Sequence, residues 1–360
     1  MGRPEAAIPA RLGMKKAFKK PKVSAPRVTM HQIAKEADVS LGTVSHVINE
    51  TAPVREPLRQ RVMGAIASLG YQPNQLSRGL RLNRTNMIGM IIPDITNPFF
   101  PAVVRGVEDV AYKHSYRLVL CNADNDPRKE ATYLNELKSF LPAGILLIPS
   151  ENASAPPDSP ATPIVCIDRP PAKWKGDIVT VANEEGGYCA GRFLLQMGHR
   201  VLGVAAGPHH LVNAAERLAG FLRAMREANV PCEPEYIQES HFDRAGGHSS
   251  AQRLLQLLPC PTAIFAANDL IALGALAAVR EFKLNCPRDV SIIGFDALDW
   301  TEFSDPALTS VYQPGYRLGG TAARLLLSRI EGSNKPPQKI VLQTELRIRN
   351  SVVRISASQQ

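Results

Sequence analysis

Residues 29–49, TMHQIAKEADVSLGTVSHVIN, hold two short helices and the tight turn between them. Thr29 and Gln32 stand at the spacing of a capping box, in which each side chain satisfies the other residue's orphan N–H. Ile33, Ala34 and Ala37 then recur at helical spacing. Val39-Ser40 makes the turn. Ser40 is placed to cap a second helix, Leu41–Asn49, with Thr43 at its third position. A third helix is predicted over about Glu56–Leu69, with Pro57 tolerated in its first turn and Gly70 stopping it. Two short helices across a turn, with a third packed on them, is the helix-turn-helix plan. The pattern alone also fits any small three-helix bundle.

The surrounding charge separates those readings. Residues 1–84 carry 15 Lys/Arg against 5 Asp/Glu, an excess of ten positive charges; the other 276 residues carry 27 against 28. A basic arm on a neutral body points to nucleic acid or a membrane surface. Residues 1–27 hold Pro4, Pro9, Pro21 and Pro26 among many Lys and Arg, and read as a disordered basic tail. The arginines from Arg55 to Arg84, by contrast, lie in patterned sequence. Gln75–Leu82, with Arg78, Arg81 and Arg84 beside it, is a possible helix too short to be stable alone in water.

From Met87 the rhythm becomes strand–helix–strand. Ile88–Pro93, Leu118–Asn122, Ile145–Ile148 and Ile164–Ile167 are apolar runs that read as buried parallel strands. Helices are expected between them at Phe100–His114 and Pro127–Phe140. The rhythm repeats with Val201–Ala205, Ala215–Ala228, Ala263–Ala266, Leu270–Phe282 and Ser291–Phe295. Two such sets predict two doubly wound lobes with a ligand cleft at the carboxyl ends of their strands. The helix Pro314–Arg329 is expected to pack into its own, C-terminal lobe.

Composition excludes several classes. The chain has 360 residues, 44% hydrophobic and 21% charged, and no apolar run near the roughly 20 residues of a bilayer span. The basic N-terminus lacks the apolar core of a signal peptide, so a cytoplasmic protein with no membrane partner is expected. Cys121, Cys166, Cys189, Cys232, Cys260 and Cys286 are scattered singly, without zinc-site or disulfide spacing. No metal, cofactor or catalytic residue is expected. The sequence has no Gly-x-Ser-x-Gly elbow, P-loop, His-Glu-x-x-His or Gly-x-Gly-x-x-Gly after the first strand.

Residues 28–82 resemble the DNA-binding head of the lactose-repressor (LacI/GalR) family. The resemblance rests on Val28-Thr29-Met30, Ile33-Ala34, Ala37-Asp38-Val39-Ser40, Thr43–Asn49, Val54, Gly70-Tyr71-Gln72-Pro73-Asn74 and Leu80. It continues through the core to about Ser351. Departures are Gln32 for an acid, Asp38 for a glycine, Arg55 for a Ser or Thr cap, and Ala182 for a frequent Asp; none removes the resemblance. It implies an α/β chain of four parts: a basic tail (1–27), a three-helix helix-turn-helix domain (28–73), a hinge helix (74–84), and a ligand-binding and dimerisation core (85–355). The core would consist of two doubly wound parallel-sheet lobes of the type I periplasmic-binding-protein kind.

What the family implies for function follows residue by residue. Leu41, Gly42 and His46 would read base edges in the major groove, Leu41 on a thymine methyl and His46 on a guanine acceptor. Leu41 also fits a plain packing role. Thr43 and Ser45 would hold phosphates or caps, and Val44 and Val47 would be core. Leu80 would wedge into the minor groove, with Asn74, Ser77 and Arg81 beside it, on a near-palindromic operator bound by a homodimer. In the core, Asn97, Phe99, Phe100, Asp168, Arg169, Arg217, Phe242, Asn268, Asp296 and Gln313 resemble the set of the periplasmic ribose-binding protein. That implies a repressor whose operator affinity is set by a ribose-like sugar. Relatives with purine or phosphosugar effectors usually have extra cationic groups; here Pro208–Asn213 offers His209 and His210, but Leu211 at the position expected to face the ligand. An activator, or a corepressor that strengthens operator binding, has the same head and core.

Overall fold

The computed structural model describes residues 28–49, 51–71, 85–156 and 162–355. The chain falls into two compact units, one up to residue 75 and one from residue 76 on. The expected tail 1–27 and hinge 74–84 lie outside the described residues, and with them Asn74, Ser77, Leu80 and Arg81.

The head has three helices, α1 (Met30–Glu36), α2 (Leu41–Asn49) and α3 (Glu56–Leu69). The capping box forms in both directions: the Thr29 hydroxyl accepts from Gln32 N–H, and Gln32 Oε1 accepts from Thr29 N–H at 2.8 Å. Ser40 Oγ accepts from Thr43 N–H at 3.1 Å, so Ser40 caps α2. Asp38 adopts φ 47°, a left-handed conformation that Asp tolerates better than most side chains. Arg61 of α3 reaches back and donates to Asp38 O at 2.6 Å and to its carboxylate at 3.0 Å, tying the turn to the third helix. Arg55, at the start of α3, supplies no side-chain cap. Ile33, Ala37, Val44, Val47, Val62 and Ala65 close a small core from all three helices.

The second unit contains two six-stranded sheets. The first has strand order β11-β5-β4-β3-β1-β2 and the second β12-β10-β9-β8-β6-β7. In the first lobe these are β1 (Met87–Ile92), β2 (Arg117–Asn122), β3 (Gly144–Leu147), β4 (Ile164–Ile167) and β5 (Asp177–Val181), joined by β11 (Lys339–Leu342). The second holds β6 (Leu202–Ala206), β7 (Ile237–Glu239), β8 (Ala263–Ala266), β9 (Ser291–Asp296), β10 (Thr309–Tyr312) and β12 (Glu345–Arg347). Among the described residues the strands of both sheets pair in parallel except β10 with β12, which is antiparallel.

The helices of this unit are α4 (Phe99–Lys113), α5 (Pro127–Ser139), α6 (Asn183–Gln196), α7 (Val212–Glu227), α8 (Arg244–Leu255), α9 (Asp269–Glu281) and α10 (Gly315–Ile330). The chain passes between lobes three times, from β5 to α6, from β10 to α10 and from β11 to β12.

Two expectations change. Helix α10 does not pack with the strands that precede it; it lies against α4, β3, β4 and β5 of the first lobe. Its apolar face, Leu318, Ala322 and Leu326, completes the core begun by Ile88, Met90 and Val103. Strand β2 is not buried: it is the edge of its sheet, and Val119 and Leu120 are exposed. Each other strand expected from an apolar run is buried as read, to within a residue or so at each end.

Candidate functional site

On the head, the start of α2 presents Leu41, Gly42 and His46 to solvent. Leu41 is 40% exposed, so it is no part of the core that Val44 and Val47 fill. A methyl group at Gly42 would meet only Ser40 Oγ, at 3.6 Å, so the surface there is open. His46 Nδ1 hydrogen-bonds Thr51 Oγ1 at 2.9 Å, which fixes the ring and leaves Nε2 free to point outward. Thr43 and Ser45 are half-buried and engaged within the helix, Thr43 with Ser40 and Ser45 as acceptor for Asn49.

In the core, the ten residues singled out from the sequence all line one cavity of about 210 Å³ between the two lobes. They converge because all but Arg217 sit where a strand ends or the next helix begins. Asn97, Phe99 and Phe100 follow β1 and open α4. Asp168 and Arg169 follow β4. Arg217 lies on α7, Phe242 follows β7, Asn268 caps α9, Asp296 ends β9, and Gln313 sits at the crossover into α10. Asp168 (φ 69°) and Asp296 (φ 112°) both adopt the left-handed region. Asp tolerates this backbone better than most side chains, and in both residues it carries the carboxylate at the cavity wall.

The polar lining is a connected network. Arg217 donates Nε to Asn183 Oδ1 at 2.9 Å and Nη1 to Ala267 O at 2.8 Å, and stands 3.7 Å from Asp296 Oδ1. Its guanidinium lies 3.9 Å from the centre of the Phe295 ring, with Phe242 at 5.9 Å. Gln313 donates Nε2 to Asp296. Arg169 donates Nε to Pro149 O at 3.0 Å. Asn268 is both a helix cap, accepting from Ile271 N–H at 2.8 Å, and part of the cavity wall. Phe99 and Phe100 meet edge to face at 5.5 Å. Phe242 lies on Gly207, where a methyl group would come within 2.4 Å of the ring; glycine is what seats that wall.

Burial shapes the acids. It pushes the Asp168 carboxyl upward, against the pull of Arg169 and Arg217. It pushes Asp296 up to about 6, against Arg217 and the Gln313 amide. Both arginines are lowered by burial but held by these acids. Two buried acceptors of the cavity lining, Asp168 Oδ1 and Gln313 Oε1, have no hydrogen-bond partner among the described residues.

The sequence reading missed Asn213. It is buried and lines the cavity, and its Nδ2 donates to Asp168 Oδ2 at 3.0 Å across the lobes. Leu211, expected to face the ligand, instead precedes α7 as a buried residue outside this cavity. Glu151 and His241, also unforeseen, line the cavity mouth from opposite lobes, with Glu151 Oε2 3.7 Å from His241 Nδ1.

A helix-turn-helix head followed by a two-lobed core with a polar cleft defines a ligand-responsive DNA-binding regulator. Comparison with known proteins agrees. Residues 29–74 match the model of bacterial regulatory proteins of the lacI family, and residues 192–352 match a periplasmic binding protein-like domain. The chain is 37% identical over 332 residues to the HTH-type transcriptional repressor PurR of Mannheimia succiniciproducens, covering 91% of this chain and 99% of that one. A LacI family transcriptional regulator from Enterococcus faecium with bound ribose superposes with a TM-score of 0.66 at 31% identity, over 75% of this chain and 100% of that one. A lac repressor dimer bound to operator and the anti-inducer ONPF gives 0.80 at 24% identity, covering 91% of this chain and all of that one, a likeness of fold. The chain belongs to the lacI family and is a DNA-binding transcriptional repressor.

Proposed function

We propose that this repressor is controlled by an unphosphorylated monosaccharide, an aldopentose of the ribose type, bound between the lobes of its core. The observation that carries this reading is the pair of partnerless acceptors, Asp168 Oδ1 and Gln313 Oε1. A buried acceptor without a donor costs about 1–3 kcal/mol. A polyol supplies hydroxyl donors to both. Phe99, Phe100 and Phe242 supply apolar faces for a sugar ring, and Arg169, Arg217, Asn97 and Asn268 supply donors for its oxygens. The cavity is smaller than the roughly 300–1,000 Å³ of drug-sized sites, which favours a single ring. Asp94, Glu151, Asp168, Asp243 and Asp296 outnumber the arginines in its wall, which disfavours a phosphate. The ribose-bound Enterococcus regulator supports the same class.

The relatives named PurR favour a second effector, a purine base, whose flat ring would stack on the same phenylalanines. Isothermal titration of the full-length protein with D-ribose, ribose 5-phosphate, hypoxanthine and guanine separates them. D-ribose alone is expected to bind. Binding of a purine base without binding of D-ribose replaces the sugar reading by the purine one.

In this reading the protein is a binding protein, not a catalyst. It acts as a homodimer on a near-palindromic operator, with Leu41, Gly42 and His46 of each head at base edges and Thr43 and Ser45 nearer the backbone. Leu80, with Asn74, Ser77 and Arg81, would provide the minor-groove wedge. Closure of the lobes on the sugar weakens operator binding.

A further inference from the structure

Glu130, on α5, is 2% exposed and lies outside the cavity wall. A carboxylate so far from water costs free energy unless hydrogen bonds and charge compensate it. What Glu130 holds is backbone: its Oε2 accepts from Ser150 N–H at 2.5 Å. That contact is the middle of three. Pro149 O accepts from Arg169 Nε at 3.0 Å, and Glu151 N–H donates to Asn125 Oδ1 at 2.9 Å. Three consecutive residues just past β3 are thus each pinned by a side chain from a different element.

The turn they form has two outlets toward the cavity. Pro149 engages Nε of Arg169, whose side chain lines the cavity. Glu151 stands at the mouth, 3.7 Å from His241 of the other lobe. Arg169 and Glu130 also attract each other, so the cation of the site has an acidic counterweight behind it.

We propose that Glu130 is a positioning residue of the effector site: its buried carboxylate holds the Pro149–Glu151 turn, and the turn aims Arg169 and Glu151. The proposal rests on the reading of the cavity as the effector site; the hold on the turn itself is testable without any ligand.

The experiment compares Glu130→Gln and Glu130→Leu in the full-length protein. Amide hydrogen exchange of a peptide spanning residues 145–152 is read without ligand, and D-ribose affinity is read by titration. Gln keeps an acceptor for Ser150 N–H. It is expected to retain the exchange protection and to bind D-ribose within about threefold of the parent. Leu fills the space but accepts nothing. It is expected to exchange at Ser150 at least about tenfold faster and to bind D-ribose at least about tenfold more weakly, with operator affinity in the absence of sugar unchanged. If the Leu variant does not fold, Glu130→Asp, one methylene short of Ser150, carries the same expectation.

Unchanged exchange in the Leu or Asp variant overturns the proposal. So does faster exchange with full D-ribose affinity, or an equal loss of affinity in Gln and Leu. A parent protein that binds no D-ribose contradicts the effector reading instead, while the exchange result still decides whether Glu130 holds the turn.

Discussion

Asp296 shows how one buried side chain sets the conditions under which the site works. It accepts from Gln313, faces Arg217, and is pushed up to about 6 by burial. In the proposed complex a sugar hydroxyl would donate to the carboxylate, so effector affinity is expected to fall as pH drops through about 6. In Asp296→Asn the affinity should be weak and less dependent on pH than in the parent, with Asp168 left as the titrating acid of the cavity; a titration of D-ribose binding from pH 7.5 to 5 checks both. Arg217→Met removes the donor to Asn183 and Ala267 and leaves Asp296 buried without its cation. Losing one partner of a buried pair costs about 3–5 kcal/mol, so sugar response should vanish while operator binding in a gel-shift assay persists. Leu41→Ala should cost the head no more than about 0.5 kcal/mol, because the side chain is exposed. Operator binding should lose about 1–2 kcal/mol if the leucine is buried on DNA. The ten cavity residues were legible because the core resembles the periplasmic ribose-binding protein at those positions, and their places near strand ends and their chemistry agree with that resemblance. Asn213 was not, because which residue of the Pro208–Asn213 loop turns inward depends on the start of α7, and helix boundaries are the weakest part of any sequence reading.

At the scale of elements, the strands that were read directly are the apolar ones. Helices α6 and α8 were passed over: their sequences, NEEGGYCAGRFLLQ and RAGGHSSAQRLL, carry Gly and Ser that intrinsic propensity disfavours. Packing explains the glycines. A methyl at Gly220 of α7 would lie 1.8 Å from Glu184 O of α6, and one at Gly187 of α6 would lie 2.0 Å from Arg217 O of α7. The two helices cross backbone to backbone, which seats Asn183 against Arg217. Gly220→Ala is therefore expected to lower core stability by about 1–3 kcal/mol and weaken D-ribose binding with it, measured by chemical denaturation and titration.

His199, just past the end of α6, ties segments of the second lobe together. It is buried, with Nδ1 on Thr262 Oγ1 at 3.0 Å and Nε2 on Val353 O at 3.1 Å, linking the approaches to β6 and β8 to the C-terminal segment. Burial lowers it from 6.5 to about 4. The unfolded chain takes up a proton below about 6.5 that the folded chain refuses until about 4, so stability falls as pH drops through that window. His199→Gln should show a shallower loss between pH 7 and 5 in thermal melts.

For the whole molecule, charge and topology divide the labour. The positive excess lies in the first 84 residues and the ligand chemistry in the neutral remainder. Operator binding should therefore weaken steeply with salt, because phosphate contacts release counterions, while sugar binding should change little. The three crossings between lobes were invisible to a reading that took two strand–helix sets in order. They matter because Gln313, on one of them, touches Asp296 of the second lobe just before the chain enters α10 of the first. Effector and operator are coupled only if each changes the affinity for the other by the same factor. The most direct measurement is fluorescence anisotropy of the protein on its own upstream operator at fixed salt, with and without saturating D-ribose. Tight binding that D-ribose weakens by roughly 5–150-fold is expected. Tight binding that D-ribose leaves unchanged would contradict the sugar-controlled reading while leaving the DNA-binding head in place.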